Sequence, residues 1–175
     1  MQKTISGVTI ECIKADIAKQ DGISAVANAA NAQLRMGGGV AGAIHRAAGP
    51  ELEKQCRPLA PINPGEAVIT KACNLPNDYV IHCLGPVYGS DKPQGKLLAD
   101  CYRNALKLAE ENQIESIAFP SISTGAFGYP VKEAAEVAFK TIKTILPELK
   151  HVKLIRFALH SDNHLRIHEE ALSNT

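Results

Sequence analysis

The sequence lacks an excess of either charge. Lys and Arg total 19 and Asp and Glu 18 in 175 residues, a net charge of +1. Such a chain has neither the basic field that grips a nucleic-acid backbone nor an acidic tail that imitates one. Cysteine pairs are missing as well. Five cysteines stand at 12, 56, 73, 83 and 101, an odd number with no C-x-x-C among them. That excludes a disulfide framework and a zinc finger and points to a reducing compartment. The N-terminal residues contain no signal-peptide core. No apolar run approaches the ~20 residues of a membrane span. Internal repeats, low-complexity stretches and long linkers are also absent. What is present is 45% hydrophobic and 21% charged, close to the globular average. At about 150 residues per domain this is one domain over 1–175, expected as a soluble, cytoplasmic monomer with no membrane partner.

Hydrophobic periodicity organises the chain. Val8 to Ile13 alternates with period two, a half-buried strand, and Gly7 suits a turn from a short preceding strand into it. Ile23 to Ala30 reads as a buried strand, followed by a helix over Gly39 to Ala48 that Gly49-Pro50 breaks. Glu66 to Ala72 and Tyr79 to Leu84 read as strands flanking a turn-rich stretch. A surface loop, Gly85 to Gly95, precedes an amphipathic helix over Leu97 to Asn112. Ser116 to Phe119 is a strand, and Pro130 suits the first position of a helix reaching Leu146. Val152 to Leu159 is the last strand and Leu165 to Leu172 a terminal helix. Alternation of this kind predicts an α/β fold with a mostly parallel sheet covered on both faces. The hairpin-like spacing of the third and fourth strands makes the sheet mixed.

Two loops carry the strongest chemical signal. One strand leads through Asn31 to Gly37, Gly38 and Gly39 and into a helix; another leads through Ser121, Ser123, Thr124, Gly125, Ala126 and Phe127 into the next. In open α/β sheets such loops gather where strands end, and ligands bind there. Glycine lets backbone N–H groups approach an anion, and the helix N-terminus adds positive potential. Two facing loops suit a diphosphate; the plain alternative is a pair of tight turns. Gly37-x-Gly39-x-x-Gly42 matches the dinucleotide fingerprint literally, but its glycines begin six residues after Asn31 and no acidic residue follows at the expected distance. A Rossmann reading is therefore rejected.

Other polar positions carry paired readings. Asp16, after the first strand, can accept a hydrogen bond from the exocyclic amine of a base, or simply cap a turn. Asn28 and Asn31 end a buried strand, where an amide must be used; Asn28 is the more structural candidate. Phe127 is placed to cover a sugar or base, or to lid its own loop. His45 and His82 read as internal histidines. His160, His164 and His168 lie near Asp162, but a metal site needs two or three converging ligands, and terminal polar helices commonly carry solvated histidines. No metal and no cofactor are expected.

Taken together these blocks resemble the macrodomain, the ADP-ribose-binding module. The resemblance is carried by Asp16-Ile17, Asn28-Ala29-Ala30-Asn31, the run from Gly37 through Gly49, Gly65-Glu66-Ala67, Ile81-His82, Gly85-Pro86 and the run from Phe119 through Pro130. It implies a three-layer α/β/α fold with a six-stranded mixed sheet. It further implies that Asp16 takes the adenine amine and Ile17 lines the base. Gly37, Gly38, Gly39 and Val40, with Ser123, Thr124, Gly125, Ala126 and Phe127, would wrap the diphosphate. Asn28, at the end of the strand behind them, is counted with the ligand-binding residues, and Asn31 would hold the distal ribose and serve as the catalytic residue.

Three departures stand out. Ala15 replaces a usual glycine. Leu159 aligns with an aromatic residue that covers adenine in many relatives. Ala41 stands where hydrolytic relatives often carry an aspartate thought to help activate water. The resemblance therefore implies ADP-ribose or an ADP-ribosylated protein as partner. Two activities follow from it: hydrolysis of an ADP-ribosyl derivative (a protein ester, O-acetyl-ADP-ribose or ADP-ribose phosphate), or non-catalytic reading of ADP-ribose. A third possibility is another diphosphate ligand, such as an NAD(P)-type nucleotide, or RNA; the near-neutral charge argues against a polynucleotide as the main partner.

Overall fold

A computed structural model describes residues 1–175. Seven strands and five helices follow in the order β1 (Gln2–Ile5), β2 (Val8–Lys14), β3 (Ala25–Ala29), α1 (Gly39–Ala48), α2 (Glu51–Cys56), β4 (Ala67–Lys71), β5 (Tyr79–Cys83), α3 (Gln94–Glu111), β6 (Ser116–Phe119), α4 (Val131–Ile145), β7 (Leu154–Leu159) and α5 (Asp162–Ser173). The strands form one sheet in the order β1-β2-β7-β6-β3-β5-β4. Its inner strands, from β2 to β5, run parallel, while β1 and β4 close the edges antiparallel.

The sheet thus has seven strands, not six. The additional strand is β1, four half-exposed residues with two polar and one basic side chain before Ile5. Too short to show a hydrophobic pattern, it is made by the turn at Ser6 and Gly7, whose φ values are 52° and 78°, the conformation tight hairpins need.

The two faces of the sheet bury different cores. On one, Val8, Ile10, Ile117 and Phe157 pack against α3, α4 and α5. Phe157 sits 4.9 Å from Phe139 and 5.6 Å from Phe119 between ring centroids, distances at which aromatic pairs attract beyond their buried area. On the other face Val26, Val80 and Ala118 pack under Ile44 and Ala48 of α1 and Leu52 and Cys56 of α2. The result is a three-layer α/β/α arrangement. No helix is long and apolar enough to cross a membrane.

This topology places the site. All five parallel strands end on the same side of the sheet, so the segments that follow β2, β7, β6 and β3 converge along one rim, the position where α/β sheets take ligands.

Candidate functional site

A cleft of about 800 Å³ runs along that rim, within the range of small-molecule sites. Lys14 to Ile17 after β2 and Ala158 to His160 ending β7 line one end. Gly39, Val40 and Ala43 opening α1 face Pro120, Ser121, Thr124 and Gly125 after β6 across the other. Of the residues expected at the site, Asp16, Ile17, Gly39, Val40, Thr124 and Gly125 line this cleft. Gly37, Gly38, Ser123, Ala126 and Phe127 belong to the same two loops but flank it; Asn31 lies in the first loop, and Asn28 is buried in β3 behind it.

At the β2 end, Asp16 combines the two readings its sequence position allowed. Its Oδ1 accepts the Ala18 N–H at 2.9 Å, capping the turn. That leaves Oδ2 as an acceptor at the cleft. The Ala15 N–H donates to the Leu159 carbonyl at 2.9 Å, which seats this turn beside the end of β7. Leu159, aligned with the aromatic position, is 1% exposed and packs into the larger core. The ring at this end of the cleft is instead that of His160, 4.5 Å centroid to centroid from His164 in an edge contact. Sequence reasoning did not place His160 or Lys14 at the site, because a polar residue at or just past the end of a strand carries no periodic signal.

At the other end the chemistry is that of the main chain. The first amides of α1, those of Gly39, Val40 and Ala41, lack acceptors in the turn before them, as helix N-termini do. Across the cleft, Gly128 and Tyr129 donate to Gly125 and Ser123 carbonyls at 3.0 and 2.9 Å, while the amides of Gly125, Ala126 and Phe127 find no acceptor in the chain. The Ser121 and Ser123 hydroxyls are buried without partners. Two sets of open donors face one another with no lysine or arginine between them, an arrangement that stabilises an anion by aligned dipoles.

Close approach holds the loops in place. A Cβ on Gly85, after β5, would collide with Ser123 Oγ and lie 2.7 Å from Ile122 Cγ2. A Cβ on Gly42 would collide with the Gly37 carbonyl. The Phe127 carbonyl accepts the Tyr88 N–H at 2.9 Å, tying the second loop to the segment after β5. Phe127 itself is half-buried against the smaller core.

Asn28 is 1% exposed. Strand alternation turns it to the α2 side, where Nδ2 lies 3.2 Å from His82 Nδ1. His82 Nε2 lies 3.0 Å from Thr70 Oγ1. Burial lowers the His82 pKa to about 3, so the ring is neutral, accepting from Asn28 and donating to Thr70. Asn31 spans the first loop: Oδ1 accepts the Arg35 N–H at 3.0 Å and Nδ2 donates to the Arg35 carbonyl at 2.8 Å. Each amide half retains capacity for one more partner. Asn31 Nδ2 stands beside Gly37, where a side chain would crowd it.

Comparison with known proteins agrees with this geometry. A family profile described as Macro domain matches residues 27–138. The chain is similar to a macro domain-containing protein of Chlorobaculum tepidum, 48% identical over 95% of this chain and 96% of that one. It is also similar to a Klebsiella pneumoniae protein named O-acetyl-ADP-ribose deacetylase, 43% identical over 94% and 96% of the two chains. Among solved structures, the Oceanobacillus iheyensis macrodomain with ADP is 42% identical and superposes with a TM-score of 0.94, covering 99% of this chain and 95% of that chain. The Trypanosoma brucei macrodomain in complex with ADP-ribose is 35% identical, with a TM-score of 0.87 over 93% and 68%.

Proposed function

The chain belongs to the macro domain family, and on that premise we propose that its cleft binds ADP-ribose and that the protein hydrolyses an ADP-ribosyl derivative. One observation carries the reading: a free carboxylate oxygen at one end of the cleft faces the same space as two opposed sets of open main-chain donors at the other. The ends have the complementary chemistry of a base amine and a diphosphate. Adenine lies between Ile17 and the His160 ring, its amine donating to Asp16. The diphosphate lies between Gly37 to Val40 and Ser123 to Phe127. The distal ribose extends past Asn31, with Phe127 near it.

The likeness to the Klebsiella protein named O-acetyl-ADP-ribose deacetylase supports an ester of the distal ribose as the substrate class. In this reading Asn31, braced by Arg35, orients the ribose and a water. The loop amides bend the diphosphate toward the reacting carbon, and preorganised donors stabilise charge as it develops. No side-chain nucleophile is required. The expected outcome is release of ADP-ribose from a glutamate- or aspartate-modified protein and from O-acetyl-ADP-ribose. Asn31→Ala lowers the rate by at least about tenfold, with a smaller effect on binding; an unchanged rate removes Asn31 from the mechanism.

Ala41 favours a second reading. It stands at the start of α1 and is 5% exposed, and no carboxylate occupies this position to activate water. A reader binds ADP-ribose on the same surfaces without turnover. Tight calorimetric binding with no product selects it.

A further inference from the structure

Behind the base end of the cleft runs a chain of part-buried hydrogen bonds centred on a buried amide. Gln20 is 2% exposed, and an amide taken out of water needs partners for both its halves. Its Nε2 donates to the Asp16 carbonyl at 2.8 Å, and its Oε1 accepts from Arg156 Nη1 at 3.1 Å. Arg156, on β7, donates from Nε to Glu11 Oε1 at 2.7 Å; Glu11 is its register partner on β2. On the backbone side, Asn77 Nδ2 donates to the carbonyls of Gln20 and Ile23 at 2.8 and 2.7 Å. The Asp16 carbonyl also closes a turn with the Lys19 N–H at 3.0 Å. Gln20 is the side chain that joins this turn to the sheet, and it does not line the cleft.

We infer that Gln20 is a positioning residue for base recognition: by tying the Asp16 carbonyl to Arg156, it sets the aim of the Asp16 carboxylate and with it the preference for a base bearing an exocyclic amine. The inference rests on the reading of the cleft as an ADP-ribose site. The Asp16 carboxylate has one oxygen committed to Ala18, so the direction of the other follows the backbone over residues 16–18. Without the amide the turn keeps its Lys19 bond and the Ala15 N–H bond to the Leu159 carbonyl but loses its side-chain tie to Arg156, and Oδ2 is free to swing from the plane of the amine. A hydrogen bond to a charged acceptor depends steeply on that alignment.

The test is base selectivity. Calorimetric affinities are measured for ADP-ribose and for its hypoxanthine analogue, in which a carbonyl replaces the amine. The wild type prefers ADP-ribose by about tenfold or more, the worth of a hydrogen bond to a carboxylate. Gln20→Met lowers that preference to about threefold or less, with most of the loss in ADP-ribose affinity. Gln20→Glu keeps the length and the acceptor used by Arg156 but removes the donor to Asp16, and carries the same expectation should the Met variant not fold. In an Asp16→Ala background neither substitution changes selectivity further. Equal weakening toward both ligands, unchanged selectivity in a folded variant, or loss of folding in both variants makes Gln20 a brace of the fold and overturns the proposal. A folded wild type that binds neither ligand overturns the reading of the cleft itself.

Discussion

Asp16 divides its carboxylate between a turn and the cleft, and the two roles separate experimentally. Asp16→Asn keeps an oxygen for the Ala18 N–H but presents an amide, itself a donor, to the incoming amine. Its ADP-ribose affinity is expected to fall at least about tenfold by calorimetry, with a thermal midpoint close to the wild type. An unchanged affinity would move the base elsewhere. The sequence offered both readings of Asp16, and the geometry retains both. Asn28 shows the reverse situation. Its neighbours in sequence suggest the site, yet strand alternation directs it toward His82, and nothing local announces a partner 54 positions away. His160 was hidden for a related reason: Leu159 aligned with the aromatic position, but Leu159 points into the core.

At the scale of elements, the site depends on two loops held by contacts across the sheet. Gly85 belongs to neither loop, yet it leaves room for Ser123 and Ile122. Gly85→Ala is expected to displace the segment over 121–127 and to abolish detectable ADP-ribose binding while the far-UV circular dichroism stays native. A variant that binds as the wild type would show that the loop tolerates the shift. On the opposite loop, Ala41→Asp restores a carboxylate to the start of α1. If the protein is a hydrolase, turnover is expected to rise by about 10²-fold or more, the usual worth of a general base; an unchanged rate would show that water is activated without that position. Periodicity found α3 and α4 to within a few residues, since their apolar stripes are long. The start of α5 was missed by three residues: Ser161 caps the helix by accepting the His164 N–H at 3.1 Å, and the polar first turn shows no stripe. The edge strand β1 was legible only through the turn expected at Gly7 and was left out of the strand count, because hairpin geometry at Ser6 and Gly7 makes it, not hydrophobicity.

For the whole molecule, stability resides in the paired cores and in histidines held neutral inside them. Phe157 contacts Phe119, Phe139 and Tyr102 and is fully buried. Phe157→Ala is expected to cost about 3–5 kcal/mol by denaturant unfolding, and a loss below ~1 kcal/mol would contradict this core. Burial lowers the pKa of His82 to about 3 and of His168 to about 4, both from 6.5. The unfolded chain therefore binds protons that the folded chain refuses. Their contribution is complete above pH 6.5 and declines as pH falls toward 4, by about 1.4 kcal/mol per histidine per pH unit. Thermal midpoints that stay flat between neutral and mildly acidic pH would refute this. The architecture was legible because strand–helix alternation is a property of the whole chain. The cleft was legible only in part, because its walls come from segments that meet through the sheet order.

The account stands most directly on a calorimetric titration of the wild-type protein with ADP-ribose. It predicts one-to-one binding in the micromolar range or tighter, accompanied by protection of Asp16, the Gly37–Val40 amides and the Ser123–Phe127 amides in hydrogen exchange or crystallography. No measurable heat at millimolar ligand, or binding that leaves both glycine-rich loops untouched, would contradict it.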